Sequence, residues 1–533
     1  MQKYLLAFIF ILFSGLARSQ KPGAEIDVLH YQFAIELNDE NDTIRGNAEI
    51  EFRILKDTKL ISFDLASQNE SGKGMNVISI KENDQTLLYT HARDQLIINF
   101  SDNAKKGSIK TIKIIYKGVP IDGLIISRNK YGKRTFFGDN WPDRAHHWLP
   151  CADHPSDKAA VDFIVTAPEH YQVISNGMET EVTNLPGHIK QTRYEENVPL
   201  PTKVMVIGAA DFAVNFSGEE GCIPIYSWVY PEEREKGFYD YGLAKNILPF
   251  FIDHVGAYPY RKLANVQSKT TFGGMENAGA IFYHENSVKG DRTVEALLVH
   301  EIAHQWFGNS ATETDWQHIW LSEGFATYMT HLYLENKYGP DTLLTRMKED
   351  RKQVIAYSKL KVKPVVDTTV TGNYVQLLNP NSYQKGSWVL HMLRRKLGDD
   401  IFWKGIRNYY ADYAGRNANT EDFRLKMESV CGQDLKNFFQ QWLYRAGQPK
   451  LEVKWNYNVA KKLITITLTQ QQIDLFEFPL ELKLEADGKS TNKTVFVKDK
   501  IHTIIIAVET KPSRILSDPN VNLLFEVETK EIK

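Results

Sequence analysis

From residue 24 to about residue 215, apolar and polar side chains alternate in short runs, at 30–37, 44–54, 96–100, 109–116 and 161–165. A period of two, broken by turns such as Asn38-Asp39-Glu40-Asn41-Asp42, predicts half-buried β-strands. From about residue 233 the apolar spacing becomes that of helices, at 233–253, 293–307, 324–338, 340–356, 383–397, 400–413, 420–431 and 434–444. Thr420 reads as the cap of the helix that follows it. After Gly447-Gln448-Pro449 the period of two returns, at 451–459, 463–470, 478–484, 494–497 and 503–508. The order predicts a multidomain α+β chain. A β domain occupies 20–215, a helical domain with a small sheet 216–447, and a β-sandwich 448–533.

A length of 533 residues exceeds what one core supports, in keeping with several domains. A net charge of -2 gives no electrostatic case for nucleic acid or an anionic membrane as partner. Residues 1–19 stand apart. Met1-Gln2-Lys3 is a basic start, 4–13 an apolar run, and Ala17-Arg18-Ser19 a small-residue cleavage site. This predicts a secretory signal peptide and a periplasmic or extracellular protein. The apolar run is too short to span a bilayer and no second one follows, so no membrane span is expected in the mature chain. Three well-separated cysteines, Cys151, Cys222 and Cys431, exclude a disulfide framework.

Chemistry concentrates in His300-Glu301-Ile302-Ala303-His304 and the later Glu323. Residues four apart share a helix face, so both histidines can address one metal. A catalytic zinc takes three protein ligands and keeps a position for water. His300, His304 and Glu323 supply those ligands, and Glu301 is left to act as general base. Val294, Leu297, Leu298, Ile302 and Phe307 recur at helical spacing, which predicts a buried helix rather than an exposed face. A near-miss, His284-Glu285 with Val288 where a second histidine is needed, reads as surface.

With these residues in place, the chain resembles the M1-type gluzincin zinc aminopeptidases, the family of aminopeptidase N and leukotriene A4 hydrolase. The likeness runs over about residues 25–530. It includes His300-Glu301-Ile302-Ala303-His304-Gln305-Trp306-Phe307-Gly308-Asn309 and Trp320-Leu321-Ser322-Glu323-Gly324-Phe325-Ala326, with Ser322 where the family usually has asparagine. Gly273-Gly274-Met275-Glu276-Asn277 is similar to the family's exopeptidase signature. The resemblance implies that this segment lines the cleft as an edge strand and that Glu276 holds the free α-amine of the substrate. Tyr383-Gln384-Lys385-Gly386 matches the setting of the family's tyrosine, which donates to the oxyanion. In the first domain, 148–155 and Ser175-Asn176-Gly177 match more weakly. There the position that also touches the amine falls on Trp141, with Asp139 and Asn140 as alternatives, and the family's arginine aligns with His146, beside Arg144.

The resemblance implies a thermolysin-like catalytic domain holding one zinc. It implies an enzyme that removes single residues from peptides with a free N-terminus. An endopeptidase or epoxide hydrolase on the same zinc site, or a non-catalytic peptide-binding relative, are the alternatives. No helical domain follows the last strands, so an open cleft and a monomer are expected.

Overall fold

The computed structural model describes residues 25–532; the expected signal peptide, 1–19, lies outside them. An eight-stranded sheet dominates the N-terminal region. Ile26–Glu36 pairs antiparallel with Ile44–Ile54 on one side and parallel with Lys158–Pro168 on the other. Val28, Tyr31, Phe33 and Ile35 all face the core although the spacing slips between the first two. A register shift between Val28 and His30 accounts for the slip. The strand therefore begins four residues before the alternation at 30–37 reveals it.

The central region carries a five-stranded sheet in the order Ala213–Glu220, Ile223–Val229, Leu263–Ser268, Ala280–His284, Gly274–Met275. The last strand is an edge, paired antiparallel with Ala280–His284 through Gly274↔Tyr283 and Met275↔Phe282. Helices stack against this sheet. The expected helix 233–253 is two, Arg234–Tyr241 and Ala244–His254, broken at Gly242. The helix expected from 324 starts earlier and runs Trp320–Tyr338, which brings Glu323 into its first turn. The segment 383–397 divides into a wide turn, Asn381–Lys385, and the helix Gly386–Leu397.

Thr420 is not the cap of Thr420–Cys431. Asn419 is: its side chain accepts from the Glu421 and Asp422 amides, and the Asp422 carboxylate accepts in turn from the Asn419 amide. The Thr420 hydroxyl instead accepts from Trp320 Nε1 at 2.8 Å. Glu285 corrects a second expectation. It is buried, ion-paired with Lys269 at 2.6 Å and bonded to the Lys130 amide, so it belongs to the interior.

The C-terminal region forms a four-stranded sheet, Ile501–Ala507, Leu463–Gln470, Lys450–Asn458, Glu526–Glu531, and a three-stranded one, Lys489–Val497, Phe478–Ala486, Arg514–Ser517. Arg514–Ser517 and Glu526–Glu531 were not among the expected strands.

Three polar anchors tie the N-terminal region to the central region. Lys158 donates from Nζ to the carbonyls of Asn309, Ser310 and Arg416 at 3.2, 2.6 and 3.1 Å. Lys203 and Glu313 form an ion pair buried on both sides. Asn176 Nδ2 bonds the Ala278 carbonyl at 2.8 Å, next to Asn277. The Lys203 ammonium is matched by a carboxylate and the Lys158 and Asn176 donors by carbonyls, as burial demands.

Candidate active site

His300 and His304 sit one turn apart on the helix Glu295–His304, and Glu323 faces them from Trp320–Tyr338. The two histidine Nε2 atoms are 3.1 Å apart. Glu323 Oε2 lies 3.4 Å from His300 Nε2 and 3.3 Å from His304 Nε2. Behind the ring, His304 Nδ1 lies 3.1 Å from the Phe307 carbonyl and 3.0 Å from Ser322 Oγ. A proton on Nδ1 donates to the carbonyl and leaves the Nε2 lone pair facing the cluster. Gly308, at φ +110°, makes this possible: a Cβ there would overlap the Ser322 hydroxyl.

The donor set fits zinc. Glu323 Oε2 and Glu276 Oε1 are buried and accept no hydrogen bond. Ligand atoms of Glu276 and Glu301 also converge on His304, so three buried carboxylates share two imidazoles. Such a cluster calls for a cation, and two imidazole nitrogens with one carboxylate oxygen are the ligands of a catalytic zinc.

Glu301 lies against Gly274, whose missing side chain leaves room for the carboxylate. Burial raises the Glu301 carboxyl well above its ordinary range; His304 opposes the rise, and Glu276 and Glu323 add to it. Burial likewise raises Glu276. The Tyr383 ring lies 6.0 Å from the His300 ring and nearly parallel to it, at 13°. Burial lifts its phenol well above the usual range, and Glu323 and Glu276 reinforce that, so the hydroxyl remains a donor.

All of these line one cavity of about 470 Å³, with Gly273, Gly274 and Met275 on the edge-strand side. Asn277 is buried beyond it, its side-chain amide without a partner. Of the three first-domain alternatives, only Trp141 reaches the cavity. Asp139 is occupied by Arg144, Thr270 and Thr271, and Asn140 by Thr202, Met205 and Trp148. His146 faces Asp153 at 2.8 Å and lies outside the cavity.

Sequence reasoning passed over several contributors. Gln305 and Asn309 both donate to the Glu276 carbonyl, at 2.8 and 2.6 Å, and lock the edge strand to the motif helix. Both stand inside the extended motif, which was the available signal. Ser322, where the family usually has asparagine, holds the His304 ring.

Residues 239–442 match the Peptidase family M1 domain and residues 28–204 the Peptidase M1 N-terminal domain, together more than half of the chain. The chain is 26% identical to aminopeptidase 2 of Candida albicans, over 80% of this chain and 48% of that one. It is 27% identical to a probable aminopeptidase 2 of Sulfurisphaera tokodaii, over 74% and 52%, and 25% identical to glutamyl aminopeptidase of Rattus norvegicus, over 82% and 49%. It thus spans about half the length of the curated relatives it matches. The crystal structure of Legionella pneumophila aminopeptidase A in complex with aspartic acid superposes with a TM-score of 0.81 at 18% identity, covering 95% of this chain and 60% of that one. The fold is that of a multidomain metallopeptidase, a β domain followed by a helical catalytic domain. The chain belongs to peptidase family M1, a family of zinc metallopeptidases.

Proposed function

We propose that the protein is a zinc-dependent aminopeptidase that hydrolyses the first peptide bond of peptides with a free N-terminus. The observation that carries the reading is Glu276: a buried carboxylate with an unpaired oxygen, beside Glu301 and His304 and at the end of an edge strand. An ammonium group satisfies it where an internal peptide bond does not.

His300, His304 and Glu323 hold the metal, which when bound acidifies water and polarises a carbonyl. The backbone of Gly273, Gly274, Met275 and Asn277 aligns the substrate along the free edge of the sheet. Glu276 receives the α-ammonium and so sets the first bond over the ligand cluster. Glu301 takes the proton of the attacking water and passes it to the leaving amine. The Tyr383 hydroxyl donates to the oxyanion as it develops. Trp141 walls the amine side.

Residues 1–19 serve as a signal peptide, 20–215 as the N-terminal β domain, 216–447 as the catalytic domain and 448–533 as a β-sandwich, in an exported monomer. Among the described residues, no helix is long and apolar enough to cross a membrane.

The test uses free and N-acetylated forms of the same peptides, before and after treatment with phenanthroline. Cleavage of free peptides alone, lost on chelation and restored by zinc, is the expected result. Comparable internal cleavage of acetylated peptides would instead identify an endopeptidase.

A further inference from the structure

The cavity continues past the ligand cluster. From Glu323 it follows one face of Trp320–Tyr338 through Thr327 and Thr330 to His331. At 1.5 Å per residue this arm extends roughly 12 Å along the helix. Its far wall is the helix Pro340–Leu360, pinned across by the buried pair His331–Asp350 at 2.8 Å. Arg346 stands one turn before Asp350 on that helix, exposed and lining the same cavity.

Arg346 is the only lysine or arginine among the described residues of the cavity lining. No described carboxylate pairs with it. Neighbouring arginines are engaged: Arg351 by Asp518, and Arg394 by Glu335 and Asp399. An unpaired guanidinium at the far end of this cleft, beyond Glu276, Glu301 and Glu323, is a receptor for an incoming anion, and its fork geometry matches a carboxylate.

Glu276 has a carboxylate oxygen within 4.8 Å of ligand atoms of Glu301 and His304, on the edge-strand side. The arm toward Arg346 runs along Trp320–Tyr338 on the Glu323 side of the cluster, away from the edge strand. We propose, on the basis of the aminopeptidase reading, that Arg346 binds a carboxylate on the leaving side of the substrate. An extended chain advances about 3.4 Å per residue, so roughly 12 Å corresponds to three or four residues past the bond. The carboxylate is the C-terminus of a peptide of four or five residues, or an acidic side chain at that depth.

The experiment compares peptides Leu-(Ala)n of increasing length, each as free acid and as C-terminal amide, with leucyl-naphthylamide alongside. For the wild type, the free acid should be favoured about tenfold in kcat/KM at four or five residues, chiefly through KM, and not at two. Arg346→Ala should bring the acid-to-amide ratio near one, Arg346→Glu should invert it, and Arg346→Lys should restore part of it. Amidated peptides ending in glutamate distinguish the sources: a regained rate assigns the side chain, and no gain assigns the chain end. A ratio of one in the wild type at every length, or a preference that survives Arg346→Ala, overturns the proposal. Intact leucyl-naphthylamide together with intact peptides counts against the aminopeptidase reading instead. The acid-to-amide ratio is then taken from binding affinities by calorimetry, with the same two outcomes.

Discussion

Ser322 holds its hydroxyl 3.0 Å from Nδ1 of His304, on the side of the ring away from the ligand cluster. Together with the Phe307 carbonyl it fixes which nitrogen carries the proton and how the ring is turned. Ser322→Ala should therefore lower zinc affinity about tenfold, the low end of what outer-shell substitutions cost. Competition against a chromophoric chelator reads this directly. Unchanged affinity would show that the carbonyl alone orients the ring.

Tyr383 stacks beside His300 with its hydroxyl as a donor. Tyr383→Phe should reduce kcat roughly a hundredfold with little change in KM and full zinc content. Steady-state kinetics on one free peptide suffices. A rise in KM alone would make Tyr383 a binding residue.

Gly324 and Gly386 cross without side chains: a Cβ on Gly386 would meet Gly324 Cα at 2.9 Å. That contact seats the helix carrying the Tyr383 turn against the helix carrying Glu323. Gly386→Ala should force the two apart by a fraction of an ångström. Activity should fall roughly tenfold to a hundredfold, since misplacement of about 1 Å costs on the order of a hundredfold. Zinc stoichiometry should be retained, and a variant with normal kcat would show that the helices slide freely.

His146 faces Asp153 at 2.8 Å with Asp64 and Asp143 nearby. Burial opposes its charge, but the Asp153 hydrogen bond and the surrounding carboxylates win and hold its pKa at about 9, against an ordinary 6.5. A pKa raised on folding stabilises fully below the unfolded value and is lost as pH climbs through the folded one. Stability should accordingly fall between about pH 6.5 and 9. Urea midpoints across that window should decline for the wild type and decline less for His146→Gln.

The motif helix and the convergence of His300, His304 and Glu323 were legible because a metal-binding pattern constrains residue type and spacing within a short segment. The N-terminal strands were legible wherever one face is buried. They blurred at Val28 and His30, where a bulge inverts the alternation. Glu526–Glu531 carries almost no apolar side chain and is held at a sheet edge through its backbone, so no pattern announces it. Thr420 and Asn419 are both good caps, and only the geometry chooses. Arg346 is one arginine on an exposed helix face. Its placement in the cleft depends on how two helices meet, through His331 and Asp350, which no local spacing encodes.

Lys158, Lys203 and Asn176 reach from the N-terminal region to the segment 309–313 after the motif helix and to the carbonyl beside Asn277. Metal capture and docking of the N-terminal region therefore draw on the same conformation. By reciprocity, whatever free energy one contributes to ordering these loops is returned to the other. An isolated central region would bind zinc more weakly than the intact chain, and zinc removal would loosen an N-terminal region that supplies none of its ligands.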